Sequence, residues 1–319
     1  MKYVLFLCIS FLTLNLAAQE NPKAFVEEAL SIMKETSVNR AKLNWEALNR
    51  EAMDSLAGKK TVREARAVVK HLLGKLGDSH SNFVAEEAVR AYRKTYAEQG
   101  MTFPMAKDSL IGGIAYITVP AIGNLNTADW QLYVRSFYQK VKAMEAKKPK
   151  AWAIDVREND GGMFVPMFRA IEPFLNAGKV LGSKDASGEV NYYTIQKNAV
   201  FFGRRNIGSV AVRVIKLKNP KLPLYILVSK KTASSGEFIT ASFVGQKNAR
   251  IVGVNTQGLT SDNSDFKLSD GSIMIITTGT LIDREGFEYS EVGKGIAPKI
   301  KTNGKDLSAY IDAIQATLK

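Results

Sequence analysis

Three features of the sequence predict an α/β fold. Short apolar runs, clearest at residues 151–156 and 224–228, alternate with helical-period stretches from residue 111 onward. The preceding segment, residues 22–98, reads mostly as helix. No internal repeat or low-complexity tract divides the chain, and 319 residues suit one large domain or a small domain beside a large one.

Taken in order, the elements are as follows. Met1-Lys2, an apolar stretch over residues 3–16 and Ala17-Ala18-Gln19 have the pattern of a secretory signal cut after Ala18. The stretch is too short to span a bilayer, and no other segment reads as transmembrane. The expected organisation is therefore signal 1–18, helical region 19–106 and core 107–319, with a secreted or periplasmic location. The single cysteine, Cys8, lies inside the signal, so the rest of the chain needs no disulfide. Thr61 with Glu64 reads as a capping box, and Val62, Ala65, Val69, Leu72 and Leu76 form a stripe at helical spacing, ended by Gly77. A helix is expected over 127–146 with its cap at Asn126 or Thr127, then a basic connection at 147–150. Strand 151–156 leads through Gly161-Gly162 into a helix over 163–175, and residues 180–217 read as further strands or hairpins. Strand 224–228 runs through a turn into an amphipathic helix marked by Phe238, Ile239, Ala241, Phe243 and Val244. A hairpin is expected over 266–278 around Asp270-Gly271, and a closing helix over 306–318.

Charge narrows the function classes. The formal net charge is +13, but the basic residues are scattered, with short clusters only at 140–150 and 216–221. That pattern reads as solvated surface, and with the secretion signal it weighs against a nucleic-acid partner. No G-x-G-x-x-G or GK[ST] loop occurs, so neither a dinucleotide site nor a phosphate loop is expected, and the reading includes no cofactor and no metal.

The chemistry concentrates at Thr232-Ala233-Ser234-Ser235-Gly236-Glu237. A serine at a strand-to-helix turn sits where helix amides stabilise negative charge, which suits an acyl-transferring nucleophile; a plain helix cap is the alternative. The chain has two histidines. His71 falls opposite the apolar stripe of its helix and reads as a surface residue, whereas His80 sits on the polar loop Gly77-Asp78-Ser79-His80-Ser81-Asn82. The amides of Gly161 and Gly162 could face a developing oxyanion, although a bare Gly-Gly also makes an ordinary tight turn.

Together these segments resemble the tail-specific (C-terminal processing) protease family, in the branch of the tricorn core protease and the interphotoreceptor retinoid-binding protein modules. The matching segments run in family order: the histidine loop 76–83, a "G-Y-I" strand at 113–117, "D-L-R-x-N-x-G-G" at 155–162, "T-A-S-A-G-E" at 232–237, "G-x-x-T-x-G" at Gly253, Thr256 and Gly258, and "E-G-x-G-x-x-P" at 291–298. The resemblance implies a crotonase-like spiral β/α core behind an N-terminal helical region. It implies Ser234 as nucleophile, His80 as general base, Ser79 orienting the imidazole and Glu291 as the acid acting through Ser79. The Ser235 amide and one of Gly161 or Gly162 would bind the oxyanion. The position of the lysine in the family's Ser-Lys branch is Leu259, and no lysine follows before Lys267, so His80 is the expected base. Residues 85–110 are far too few for the PDZ domain of that branch. Val254 and Lys299 replace acidic residues usual in the family, and neither touches a proposed catalytic group. The expected function is a secreted serine peptidase acting on peptides or unfolded protein tails. A catalytically idle binding module on the same fold and a small-ester hydrolase are the alternatives, since fold alone does not fix function.

Overall fold

The structure is a computed structural model that describes residues 21–302 and 306–318. The expected signal segment lies outside those residues. Helices α1 (Pro22–Thr36), α2 (Trp45–Ser55) and α3 (Val62–Gly74) precede β1 (Asn82–Val84) and α4 (Glu86–Tyr92). Then come β2 (Asp108–Ile111), β3 (Ile114–Thr118), α5 (Thr127–Ala146), β4 (Ala151–Asp155) and α6 (Phe164–Ile171). Four strands follow without a helix: β5 (Leu181–Asp185), β6 (Val190–Gln196), β7 (Ala199–Phe202) and β8 (Arg205–Ser209). The chain continues through β9 (Leu224–Val228), α7 (Ser235–Ala241), β10 (Ala249–Gly253), β11 (Ser261–Lys267), β12 (Ile273–Asp283), β13 (Ile300–Lys301) and α8 (Leu307–Thr317).

These elements form a mixed α/β fold with two sheets. The first has strand order β13-β10-β9-β4-β3-β2. It is parallel except for β2; α5 and α7 make the crossovers from β3 to β4 and from β9 to β10, and β13 returns beside β10 after β11 and β12. Every residue of β4 and β9 is buried, which explains their continuous apolar runs. Register places Asp155 beside both Thr118 and Leu227, so the carboxyl ends of β3, β4 and β9 finish level. That edge is where an open α/β sheet places its ligands. In the second sheet β1 and β11 both pair with β12, which continues antiparallel through β5, β6, β7 and β8.

Among the described residues, three apolar clusters hold the layers, one of them packing α8 on the first sheet through Tyr225, Leu227, Tyr310 and Ile314. Another packs α5 and α6 on the first sheet through Phe137, Trp152, Ile154 and Phe168. The third packs α1, α2 and α3 onto the second sheet through Phe25, Leu72, Phe83 and Met274.

Several local readings differ in detail. Thr61 caps α3 through a full capping box with Glu64, yet the helix stops at Gly74 rather than Gly77. Asn39 donates to the Leu76 carbonyl at 3.0 Å, drawing the chain off the helical path, and Gly77 takes its left-handed φ of +72° afterwards. The helical segment is interrupted by β1 because Phe83 turns inward against β12. The helix after Gly162 ends as a 3-10 turn over Glu172–Phe174.

Phe83 is 7% exposed and joins α3 to β12 immediately after the histidine loop. Phe83→Ala should therefore cost about 3–5 kcal/mol of stability, read as a lower urea midpoint with an unchanged slope.

Candidate active site

The turn over residues 232–237 is built by its neighbours. β9 delivers the chain to Ser229, whose amide donates to Thr232 Oγ1 at 3.0 Å. Thr232 Oγ1 in turn donates to the Val156 carbonyl at 2.8 Å, and Ala233 N donates to Asn159 O at 3.1 Å. Ser235 Oγ reaches the Gly162 carbonyl at 2.8 Å. These bonds stitch the β9–α7 turn to the β4–α6 turn beside it. The approach is close enough that glycine is needed on both sides. A side chain at Gly236 would strike the Asn159 carbonyl, and one at Gly161 would meet Ser234 Cβ at 3.0 Å. Ser234 itself has φ +50° and ψ −122°, a backbone state that side-chain-bearing residues rarely adopt.

His80 arrives from the N-terminal part of the chain. Asp78 Oδ1 accepts from the His80 and Ser81 amides at 3.0 and 2.6 Å and from Thr277 Oγ1 at 3.0 Å. Ser81 Oγ donates to Asp78 Oδ2 at 2.8 Å and accepts from Thr277 N at 3.0 Å. The histidine loop is thereby fastened to β12. His80 Nε2 lies 3.1 Å from Ser234 Oγ, and Nδ1 lies 2.8 Å from Ser261 Oγ at the start of β11. Burial pulls the imidazole pKa below that of an ordinary histidine, opposed by the Asp78 charge and the contact with Ser261. The cleft in front of this row has a volume of about 590 Å³; Met163, Phe164, Tyr193 and Phe238 supply apolar lining, and Arg205, Asp262 and Asp265 supply charged lining.

The structure thus brings Ser234 and His80 together but does not bring Ser79 or Glu291 to them. Ser79 is exposed, because Asp78 holds the amides of His80 and Ser81 and turns the intervening side chain outward. Glu291 is 69% exposed and pairs with Lys294 at 2.6 Å. It lines a separate hollow of about 640 Å³ that contains Thr260 rather than Ser261. The relay from Glu291 through Ser79 to His80 is therefore corrected: the hydroxyl at Nδ1 belongs to Ser261, which the sequence reading missed. Asp78 makes no bond to the ring and acts on the backbone of the loop. Of the two glycines, Gly161 N is engaged by Asn159 Oδ1 at 3.1 Å. His71 lies on the surface, as expected, with Glu51 Oε1 at 2.6 Å.

Comparison with known proteins identifies the family. The model of a family described as peptidase family S41 matches residues 113–302. The nisin-resistance protein of Lactococcus lactis subsp. lactis is 26% identical over 303 residues, 94% of this chain and 89% of that protein. The carboxy-terminal processing protease CtpA of Bacillus subtilis (strain 168) is 23% identical over 175 residues, 54% of this chain and 33% of that protein. Among solved structures, a lipoprotein from Streptococcus agalactiae superposes with a TM-score of 0.74 at 23% identity, over 93% of this chain and 96% of the other. The photosystem II D1 C-terminal processing protease superposes with a TM-score of 0.58 at 14% identity, over 91% of this chain and 96% of the other. Both structures share the fold.

The buried imidazole sets a pH expectation. Its folded-state pKa is depressed, so its contribution to stability is present above the unfolded value of about 6.5 and is lost as pH falls through the folded value. An NMR titration of the His80 ring should give a midpoint below about 6.5. A midpoint above that value would mean that a charged ring is favoured at this position.

Proposed function

The chain belongs to peptidase family S41, and we propose that it is a serine peptidase in which Ser234 is the nucleophile and His80 the general base. The row Ser234 Oγ, His80 Nε2, His80 Nδ1 and Ser261 Oγ, with contacts of 3.1 and 2.8 Å, carries this reading. A serine hydroxyl attacks a carbonyl only when a base takes its proton, and the base works only in the right tautomer. His80 Nδ1–H donating to Ser261 Oγ leaves the Nε2 lone pair facing Ser234. His80 Nε2 accepts the serine proton as Oγ bonds to the substrate carbonyl carbon. The imidazolium then gives that proton to the leaving amine, and water enters by the reverse sequence to release the acyl group.

The oxyanion would meet the Ser235 amide, at the first turn of α7, and the Gly162 amide. Gly161 N already has a partner in Asn159, so its place is to let the nucleophile approach. The substrate is a peptide or an unfolded protein tail, entering the aromatic-walled cleft with an apolar side chain beside Ser234. The secretion signal read from the sequence would place this activity in the periplasm or outside the cell.

The test is covalent labelling with a fluorophosphonate probe and peptide mapping of the adduct. Ser234→Ala should abolish labelling and peptide hydrolysis with folding intact; an adduct at Ser235 instead would overturn the assignment. His80→Ala should lower kcat by several orders of magnitude. In the wild type, kcat/KM should fall as pH drops through a value below that of an ordinary histidine. Ser261→Ala should cost about 10- to 100-fold in kcat by releasing the tautomer, while Glu291→Gln should leave kcat within about twofold. A large loss in Glu291→Gln with wild-type kinetics in Ser261→Ala would restore the relay that the geometry does not form.

A further inference from the structure

We infer that Glu237 is a positioning residue, whose carboxylate locks the nucleophile turn to the loop that carries Ser261. The inference rests on Ser234 as the nucleophile. Glu237 is 0% exposed, three residues after Ser234, in the first turn of α7. At such a position a glutamate commonly completes a capping box, with the serine hydroxyl spent on the glutamate amide. Here Glu237 N donates to the Ser234 carbonyl at 2.8 Å, and Ser234 Oγ also reaches His80 Nε2 at 3.1 Å. The carboxylate arm of the box is Glu237 Oε2, which accepts from Ser234 N at 3.1 Å.

The other carboxylate oxygen faces a different segment. Glu237 Oε1 accepts from Gly258 N at 2.8 Å and from Thr256 Oγ1. The threonine hydroxyl donates there and accepts from Ile296 N at 2.7 Å. Three residues beyond Gly258 the chain reaches Ser261, whose hydroxyl meets His80 Nδ1. One buried side chain thus fixes both ends of the row. It grips the amide of the strained residue that attacks, and it grips the strand entry that orients the base.

The chemistry of the pocket selects a carboxylate. Ser234 N, Gly258 N, Thr256 Oγ1 and the Leu259 amide all donate to Glu237, so an acceptor on each side is required. A glutamine of the same shape offers one acceptor oxygen, and its NH2 group would oppose either Ser234 N–H or the Gly258 and Thr256 donors. Burial pushes the Glu237 carboxyl above its ordinary range, while these donors hold it down. A fully buried carboxylate with both oxygens occupied is costly to maintain unless a geometry depends on it.

The experiment measures labelling by a fluorophosphonate probe in two ways: the end-point stoichiometry, which counts competent sites, and the second-order rate per competent site. Glu237→Gln should label to a substantial end-point but at least tenfold more slowly, with the pH midpoint of labelling unchanged because His80 is intact. Thr256→Val should slow labelling by a smaller factor, and Thr256→Ser, which keeps the hydroxyl, should recover most of that loss. A purely structural role predicts the opposite split, with fewer competent sites that each react at the wild-type rate. That split in Thr256→Val, or a wild-type rate in Glu237→Gln, overturns the inference, and the threonine pair decides the matter should Glu237→Gln not fold. Wild-type protein that fails to label at Ser234 would instead overturn the nucleophile assignment itself.

Discussion

The site depends on two backbone turns being packed closer than side chains permit. Register sets β4 beside β9, so the turns leaving their carboxyl ends are neighbours from the start. Gly236 lets α7 begin against the Asn159 carbonyl, and Gly161 lets the first turn lie against Ser234. The bonds from Thr232, Ala233 and Ser235 then hold this contact. Left-handed backbone at a serine is unfavourable on its own and persists where its surroundings over-determine it. The stitched turns provide those surroundings.

The base is supplied from outside this unit. His80 is 154 residues before Ser234 and lies outside the segment that matches the family model. Closing so long a loop costs little more than closing a shorter one, since the entropy grows only with the logarithm of length. The real requirement is to fix the loop once it arrives. Asp78 and Ser81 do this through Thr277, and Phe83 does it through the cluster beneath α1 and α3. The N-terminal helices are thus part of the machinery in a physical sense: the apolar cluster they complete anchors the strand on which the histidine loop is built.

What was legible in the sequence follows the same division. Apolar runs with glycine exits announced β4, β9 and their turns, and the spacing of Thr61 and Glu64 announced the start of α3. His80 could be singled out because only one other histidine competes with it. Ser261 could not, because β11 reads Ser-Asp-Asn-Ser-Asp-Phe-Lys without apolar alternation. That strand forms because β12 is long enough to pair with it, which is a tertiary effect. Glu291 misled for an instructive reason. In the segment resembling the family, Gly293 and Gly295 pack against Gly258 and Thr256. The resemblance there reflects a backbone requirement, and the glutamate beside it is free to turn outward to Lys294.

The identity of the group at Nδ1 shapes how the base must work. A carboxylate there would both fix the tautomer and stabilise the imidazolium, raising the pKa of the ring. Ser261 offers a neutral hydroxyl, which fixes the tautomer but contributes no countercharge. Asp78 supplies charge only through space, from behind the loop, and burial outweighs it. The ring is therefore kept unprotonated near neutral pH, ready to accept, yet it is a weaker base than one backed by an ion pair. A site arranged this way has to recover barrier lowering elsewhere, and two sources are available to it. In the proposed mechanism one would be the amides of Ser235 and Gly162, whose stabilisation of an oxyanion would need no reorganisation during the reaction. The other is tight alignment of hydroxyl and imidazole, where small displacements are expensive. The buried carboxylate of Glu237, bonded at once to the nucleophile's amide and to the strand entry before Ser261, acts on that second source.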